Sequence, residues 1–353
     1  MSVLLCRADA RRLPLADESV HCVVTSPPYW GLRDYGCVGQ IGLEPRPDCL
    51  GWATGAPCCA CYVCTMVAVF REVRRVLRRD GTSWLNIGDS YVSAAPGRCS
   101  GDAMATSGLT GRGRDGKGSA GAVRDALVDR PTRDFGTLRV KNRIGIPWRV
   151  ALALQADGWW LRSEVIWHKR NPMPASVTDR PPDAHEQVFL LTRSPRYFYD
   201  ADAVRGERPG LGTAPTHSGR NLHSVWPIAS QPWSGAHFAV MPPRLAERCV
   251  LAGTSERGVC AVCGAPWRRV TERTRTAPAP PSGWRTTGWS ASCACDASDP
   301  VPAVVLDPFA GSGTVARVAV QHRRHAILCD LSAAYLAEQA TARTSGVQVE
   351  MAV

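Results

Sequence analysis

Apolar positions recur along this chain with two different spacings. Short β-branched or aliphatic runs at residues 3–5, 20–25, 82–86, 187–192, 303–306 and 326–329 predict buried strands, as does 159–168. Between them, apolar residues three and four apart predict helices over 66–79, 147–156, 242–251, 314–321 and 332–343. In the first of these, Val69, Phe70, Val73, Val76 and Leu77 share a face opposite arginines, and Asp80-Gly81 closes it. Strands alternating with helices predict an α/β fold with a doubly wound, mostly parallel sheet.

Two stretches break the pattern in an informative way. The run Val20–Thr25 stops at Pro27-Pro28, which lack the N–H donors a central strand needs. Ser26, a rigid turn, Tyr29 and Trp30 are therefore presented at the carboxyl end of a strand, where open α/β sheets place ligands. Residues 94–137 are rich in Gly, Ser and Arg and poor in large apolar groups, and read as a basic loop without a core of its own. Residues 200–235 also read as loop, with scattered Arg, His and Trp.

Composition adds a partner class. The 353 residues carry a formal charge of +11, nearly all of the excess arginine, since lysine stands only at Lys117, Lys141 and Lys169. Part of that bias is what GC-rich coding produces, but the net charge favours a polyanionic partner, and arginine suits both phosphates and guanine edges. No apolar run approaches the ~20 residues needed to span a bilayer, and Val3–Cys6 is too short for a secretory core, so a cytoplasmic protein without membrane contact is expected. In that setting the 15 cysteines read as metal ligands or core thiols rather than disulfides.

The cysteines cluster. Cys260, Cys263, Cys293 and Cys295 form two close pairs, four thiolates for tetrahedral zinc, with Gly264 suited to the knuckle turn. Trp267, Arg268 and Arg269 beside them suggest a DNA-facing or lid role. Cys58 or Cys59, with Cys61, Cys64 and Cys49, offers a second quartet for zinc or an iron–sulfur cluster.

Near the C-terminus, Asp307-Pro308-Phe309-Ala310-Gly311-Ser312-Gly313-Thr314 follows a strand and opens a helix. The glycines admit close backbone approach, and Asp330 ends the next strand, where a carboxylate can hold ribose hydroxyls. Neither the G-x-G-x-x-G dinucleotide pattern nor a P-loop lysine is present, which points to a nucleoside ligand without a phosphate cradle.

This loop, together with Thr25-Ser26-Pro27-Pro28-Tyr29-Trp30, resembles the amino-methylating DNA methyltransferases that use S-adenosylmethionine. The catalytic stretch precedes the cofactor loop, the circularly permuted order of the β group, which methylates cytosine N4 or adenine N6. Residues 140–148, 167–174 and 237–243 look like further blocks of phage and bacterial members. The resemblance implies a Rossmann-like methyltransferase fold whose termini lie close together. Residues 1–44, 66–93, 138–195, 237–254 and 303–353 would form it. The rest would be cysteine-rich insertions (45–65 and 255–302), the flexible loop 94–137 and a target-recognition region at 196–236 with Arg196, Arg205, Arg208, Arg220 and Trp226.

It implies site residues as well: Asp307, Phe309, Gly311, Ser312, Gly313 and Thr314 around the cofactor, Asp330 on the ribose, Asp9 at the adenine edge, and the helix at 242–251 beside the methionine end. Ser26, Pro27, Pro28 and Tyr29 would be catalytic. An exocyclic amine is a poor nucleophile; hydrogen bonds from it to the Ser26 hydroxyl and Pro27 carbonyl would aim its lone pair at the methyl group. Cytosine C5 chemistry is excluded, because Cys58 sits in a cysteine cluster without an acidic partner motif. Ser26 at the first motif position leans to cytosine N4, with adenine N6 as the alternative. A cognate restriction endonuclease is a possible partner in such systems. A catalytically inactive zinc-ribbon DNA-binding protein, or a methyltransferase of protein or RNA, are the rival classes.

Overall fold

The computed structural model of the chain describes residues 1–92, 133–205, 221–231, 240–274, 283–296, 299–340 and 348–352. Most of the 94–137 loop, residues 206–220 with Arg208 and Arg220, and residues 237–239 of the 237–243 block lie outside the described residues. The chain divides into two compact units: one of Met1–Ser26, Glu72–Asn86 and Trp159–Val353, the other of Pro27–Arg71 and Ile87–Gly158.

The first unit is built on a sheet of nine strands among the described residues. In chain order these are β1 (Ser2–Arg7), β2 (Val20–Thr25), β3 (Leu77–Ile87), β4 (Trp160–Lys169), β5 (His185–Thr192) and β6 (Val225–Ile228). Two short pairs, β7 (Val259–Cys260) with β10 (Pro300–Val301) and β8 (Arg268–Thr274) with β9 (Gly283–Ser290), stand outside it. It is completed by β11 (Val304–Asp307), β12 (His325–Asp330) and β13 (Gln348–Ala352), in the spatial order β13-β1-β12-β11-β2-β3-β5-β4-β6. The pairs from β13 to β3 are parallel, β4 and β5 antiparallel, β4 and β6 parallel.

Alternation along the strands explains the core. Val3 and Leu5, Cys22 and Val24, Val188 and Leu190, Val165 and Trp167 share one cluster because period-2 spacing sends them to the same face. Two helices join that cluster, α4 (Pro243–Gly253) through Leu245, Ala246, Cys249 and Val250, and α5 (Thr314–Gln321) through Val315, Ala316, Val318 and Ala319. Gly253 is where α4 comes closest: a Cβ there would collide with Thr82 Oγ1 and stand 2.7 Å from Cys22 Sγ.

The second unit holds α1 (Gly51–Thr54), α3 (Ile146–Ala156) and the part of α2 (Tyr62–Val76) up to Arg71, the rest of which lies in the first unit. Asp89 organises its backbone: the carboxylate accepts hydrogen bonds from the N–H groups of Gly145 and Ile146, opening α3, and from the Arg143 guanidinium.

The elements differ from expectation at four places. The helix predicted over 66–79 begins at Tyr62 and ends at Val76, so Leu77–Arg79 belong to β3. Residues 225–228, read as loop, form β6. Tyr335–Ala340 is a π-helical turn where an α-helix was expected over 332–343. Gln348–Ala352 adds a strand, parallel to β1 with Ser2 opposite Gln348. The two chain ends therefore meet in one sheet, as the permuted order requires.

Candidate active site

The seam between β11 and β2 is the switch point of the sheet. From β11 the chain runs to β12 on one side, and from β2 to β3 on the other, so the crevice at their carboxyl ends is left open by both crossovers. Val305 pairs with Cys22 and Leu306 with Val23, so Thr25 stands one residue beyond the position level with Asp307. The Thr25 hydroxyl donates to Asp307 Oδ1 at 2.8 Å. Ser26 follows directly, at the mouth of that crevice.

Asp307 is almost fully buried, and its Oδ1 also accepts the Phe309 N–H at 3.1 Å. Burial pushes its pKa up to about 8, against the lowering effect of those two hydrogen bonds, and nearby Asp330 adds to the rise. The turn then closes through Ala310 N–H to Cys329 O at 2.9 Å. Gly311 and Gly313 have φ of 47° and 72°, the left-handed region where a side chain is strained, and Gly313 is the N-cap of α5. Ser312 and Thr314 are buried, with their hydroxyls 3.2 Å apart.

Asp330 ends β12 beside this turn, accepting the Gly311 N–H on Oδ2 at 3.0 Å and the Ser332 N–H on Oδ1 at 2.9 Å. The Leu331 N–H is a third backbone donor to this carboxylate. Burial raises the Asp330 pKa despite these N–H donors. Asp9 lies just beyond β1, where Ala8 N–H reaches Asp330 O. Its carboxylate is clamped by Arg11, through Nε at 3.0 Å and Nη2 at 2.6 Å; burial raises its pKa, but the Arg11 contacts outweigh this and hold it low. The structure thus brings Ser26, Asp9, Asp330 and the whole Asp307–Thr314 loop to the carboxyl edge of one sheet.

Pro27, Pro28 and Tyr29 belong to the second unit, where other groups hold them. The Tyr62 hydroxyl donates to the Pro28 carbonyl at 2.9 Å. The Tyr29 ring lies against Gly88, where a Cβ would stand 2.6 Å from Cε2. Gly42, at φ 100°, passes the Tyr29 carbonyl so closely that a Cβ would sit 3.1 Å away. Thr25 was named from sequence only as part of its motif, with no role, and Tyr62 and Gly88 were given none; Gly88 carried a signal as a glycine directly after a strand.

Both cysteine quartets assemble: Cys49, Cys58, Cys61 and Cys64 in the second unit, and Cys260, Cys263, Cys293 and Cys295 in the first, each with all sulfurs within 4.8 Å of one another. The choice between Cys58 and Cys59 is resolved, since the Cys59 thiol points at Pro57 O instead. The later quartet is bolted to the sheet. Val304 N–H donates to His21 Nδ1, so His21 carries its proton on Nε2 and donates to Gly264 O at 3.2 Å. Burial lowers the His21 pKa to about 4, consistent with this neutral tautomer. Arg78 donates to Cys263 O at 2.8 Å. His21 and Ser26 sit at opposite ends of β2, about 16 Å apart at the usual strand rise.

Two further expectations change. Arg269, read as DNA-facing, is buried in an ion pair with Asp200 at 2.8 Å, contacts Glu256, and stacks on Trp289. Trp226, placed among target-recognition residues, is buried on β6 against Trp84, its Nε1 donating to His223 O. Arg205 pairs with Asp202, whereas Arg196 is exposed.

A permuted Rossmann-like sheet with an acid–glycine loop at its switch point is the architecture of an α/β methyltransferase. The DNA methylase family model for N6 and N4 methyltransferases matches residues 20–261 and 296–341, and the chain belongs to that family. It is a DNA methyltransferase. Type II methyltransferase M.Cfr9I of Citrobacter freundii is 38% identical over 326 residues, 92% of this chain and 81% of that one. Type II methyltransferase M.SmaI of Serratia marcescens is 43% identical over 244 residues, 69% and 72% of the two chains. In fold the chain is similar to the cytosine-N4-specific PvuII DNA methyltransferase, with a TM-score of 0.55 at 16% identity over 97% of this chain and 85% of that one. A second likeness, at 0.50 and 18% identity over 99% of both chains, is to a putative DNA modification methylase from Thermus thermophilus complexed with S-adenosyl-L-methionine.

Proposed function

We infer that the chain transfers the methyl group of S-adenosylmethionine to the exocyclic N4 amine of cytosine in double-stranded DNA, within a restriction–modification system. The observation that carries this reading is Ser26 standing at the β2–β11 switch point beside the Asp307 loop. The residues present fit the cofactor: it is a cation with a ribose, and the crevice offers a buried acid at Asp307, a second carboxylate at Asp330, and glycines where backbone must approach closely. Phe309, Ser312 and Thr314 would line the rest, and Asp9, held by Arg11, the adenine edge. When bound, the cofactor supplies a sulfonium-activated methyl group.

The chain's own part is positioning and electrostatics. The Ser26 hydroxyl and Pro27 carbonyl accept the two N–H bonds of the amine, which turns its lone pair outward for direct displacement. Tyr29 stacks on the base, which has to leave the duplex to be reached. The arginine-rich surface supplies phosphate contacts. The quartet at Cys260, Cys263, Cys293 and Cys295 holds a structural zinc ion at the end of the sheet remote from Ser26.

Cytosine rather than adenine is favoured by serine at the first motif position and agrees with the specificity in the name of the PvuII enzyme. Expression in a methylation-free bacterium, with single-molecule mapping of modified bases, tests both points. N4-methylcytosine at one sequence motif is the expected result. N6-methyladenine would reassign the base, and unmodified DNA from an expressed, folded protein would remove the transfer reading.

A further inference from the structure

The quartet Cys49, Cys58, Cys61 and Cys64 takes no part in the transfer chemistry, yet its sulfurs are arranged as ligands. Cys64 Sγ lies 3.7 Å from Cys49 Sγ and 4.0 Å from Cys58 Sγ. A disulfide requires about 2.05 Å. The edge of a tetrahedron with Zn–S bonds of about 2.3 Å is about 3.8 Å.

Backbone donors surround the same atoms. Gly51 and Cys58 N–H donate to Cys49 Sγ at 3.3 and 3.4 Å, Ala60 N–H to Cys58 Sγ at 3.4 Å, and Cys64 N–H to Cys61 Sγ at 3.5 Å. Such donors stabilise a thiolate, the form that binds metal. Cys59 shows what a non-ligand looks like here: φ of 58° turns its side chain away to Pro57 O. Four sulfurs in tetrahedral array suit zinc, and closed four-coordinate sites are structural.

The site's position gives it a task. Cys61 immediately precedes α2 and Cys64 lies in its first turn. The loop that supplies Cys49 is stitched to the same turn, with Tyr62 N–H donating to Arg46 O and Val63 N–H to Pro47 O. Between two ligands sits Tyr62, fully buried, whose hydroxyl holds the Pro28 carbonyl. Its side chain is a rigid lever, so where α2 starts decides where Pro28 sits. Pro28 separates the Pro27 carbonyl from Tyr29.

We propose that Cys49, Cys58, Cys61 and Cys64 hold a zinc(II) ion that fixes the start of α2, and that Tyr62 acts as a positioning residue carrying that order to the Pro27–Tyr29 turn. The metal site rests on sulfur geometry alone. Its link to turnover rests on the reading of the turn as the place of methyl transfer.

The test uses the full chain, purified without added metal or chelator, as wild type, Cys58→Ser and Tyr62→Phe. Zinc is measured by mass spectrometry of the elements and methyl transfer by steady-state kinetics. Cys58→Ser should carry one zinc equivalent fewer than wild type and turn over more slowly. Tyr62→Phe should keep the wild-type zinc content and KM for S-adenosylmethionine while kcat falls about 10- to 100-fold, the scale of misplacement near reacting atoms. Equal zinc in wild type and Cys58→Ser overturns the metal site; an unchanged kcat in Tyr62→Phe overturns the positioning role. If wild type methylates no DNA, the transfer reading fails while the zinc count still decides the site. Should Cys58→Ser not fold, alkylation of native wild type replaces it, because Cys58 and Cys59 are neighbours and both exposed. Cys59 should react at once and Cys58 only after chelation; equal reaction of both overturns the proposal.

Discussion

Asp307 shows how one residue sets a pH response. Burial lifts its pKa from the usual 3.8 to about 8 despite hydrogen bonds from Thr25 and Phe309. A carboxyl raised in the folded state favours folding fully only below its unfolded pKa, and that contribution is lost as pH rises through about 8. A cationic cofactor reverses the preference, because it pairs with the ionised form. Affinity for S-adenosylmethionine should therefore rise as pH is taken from about 6 to 8 and then level off, while Asp307→Asn flattens the curve; calorimetric titration reads both. At Ser26 and Tyr29 the expectation is a division of labour: Ser26→Ala and Tyr29→Ala abolish methyl transfer but leave cofactor affinity within a few-fold. Loss of that affinity in step with activity would remove the division. These residues were legible in sequence because their chemistry is local: Pro-Pro ends a strand, and glycines open a helix. The roles of Thr25 and Tyr62 were not, since the first acts on Asp307 across the sheet and the second on Pro28, 34 positions earlier.

Elements depend on two close approaches. Adding a methyl at Gly253 drives it into Thr82 and Cys22 beneath α4, so Gly253→Ala should cost about 1–3 kcal/mol in chemical denaturation with the fold retained. Asp89, side chain 1% exposed, accepts the first N–H groups of α3 and pairs with Arg143. Asp89→Ala should destabilise by about 1–3 kcal/mol, because the N–H groups of Gly145 and Ile146 lose their buried acceptor. Expected elements such as the strand Val20–Thr25, stopped by Pro27-Pro28, and the helix after Gly313 matched. Leu77–Arg79 misled because Leu and Arg are good helix formers; pairing of Leu77 with Val20 overrides that propensity. Val225–Ile228 is too short, and carries a proline, to read as a strand, yet as the edge partner of β4 it needs neither length nor every donor.

At the scale of the molecule, the later cysteine insertion acts as a brace. Its knuckle is held by His21 and Arg78, and its ribbon by the buried Arg269–Asp200 pair. Chelation should lower the melting temperature markedly while zinc, added back, restores it; an unchanged melting curve would show that the brace needs no metal. The Cys-x-x-Cys spacing announced this site, but not which way it faces, because orientation is set by pairing with distant residues.

The meeting of the two chain ends in one sheet also bears on how the protein is made. The Thr25–Asp307 bond joins residues 282 positions apart. At roughly 5–20 residues per second, a ribosome adds β11 about 14–56 s after β2. During that interval Val20, Val23 and Val24, destined for the centre of the sheet, have no partner on one side. The permuted order thus leaves a sticky edge waiting on β11, and chains cut short before residue 303 should aggregate or recruit chaperones, whereas chains that include β11 close the seam.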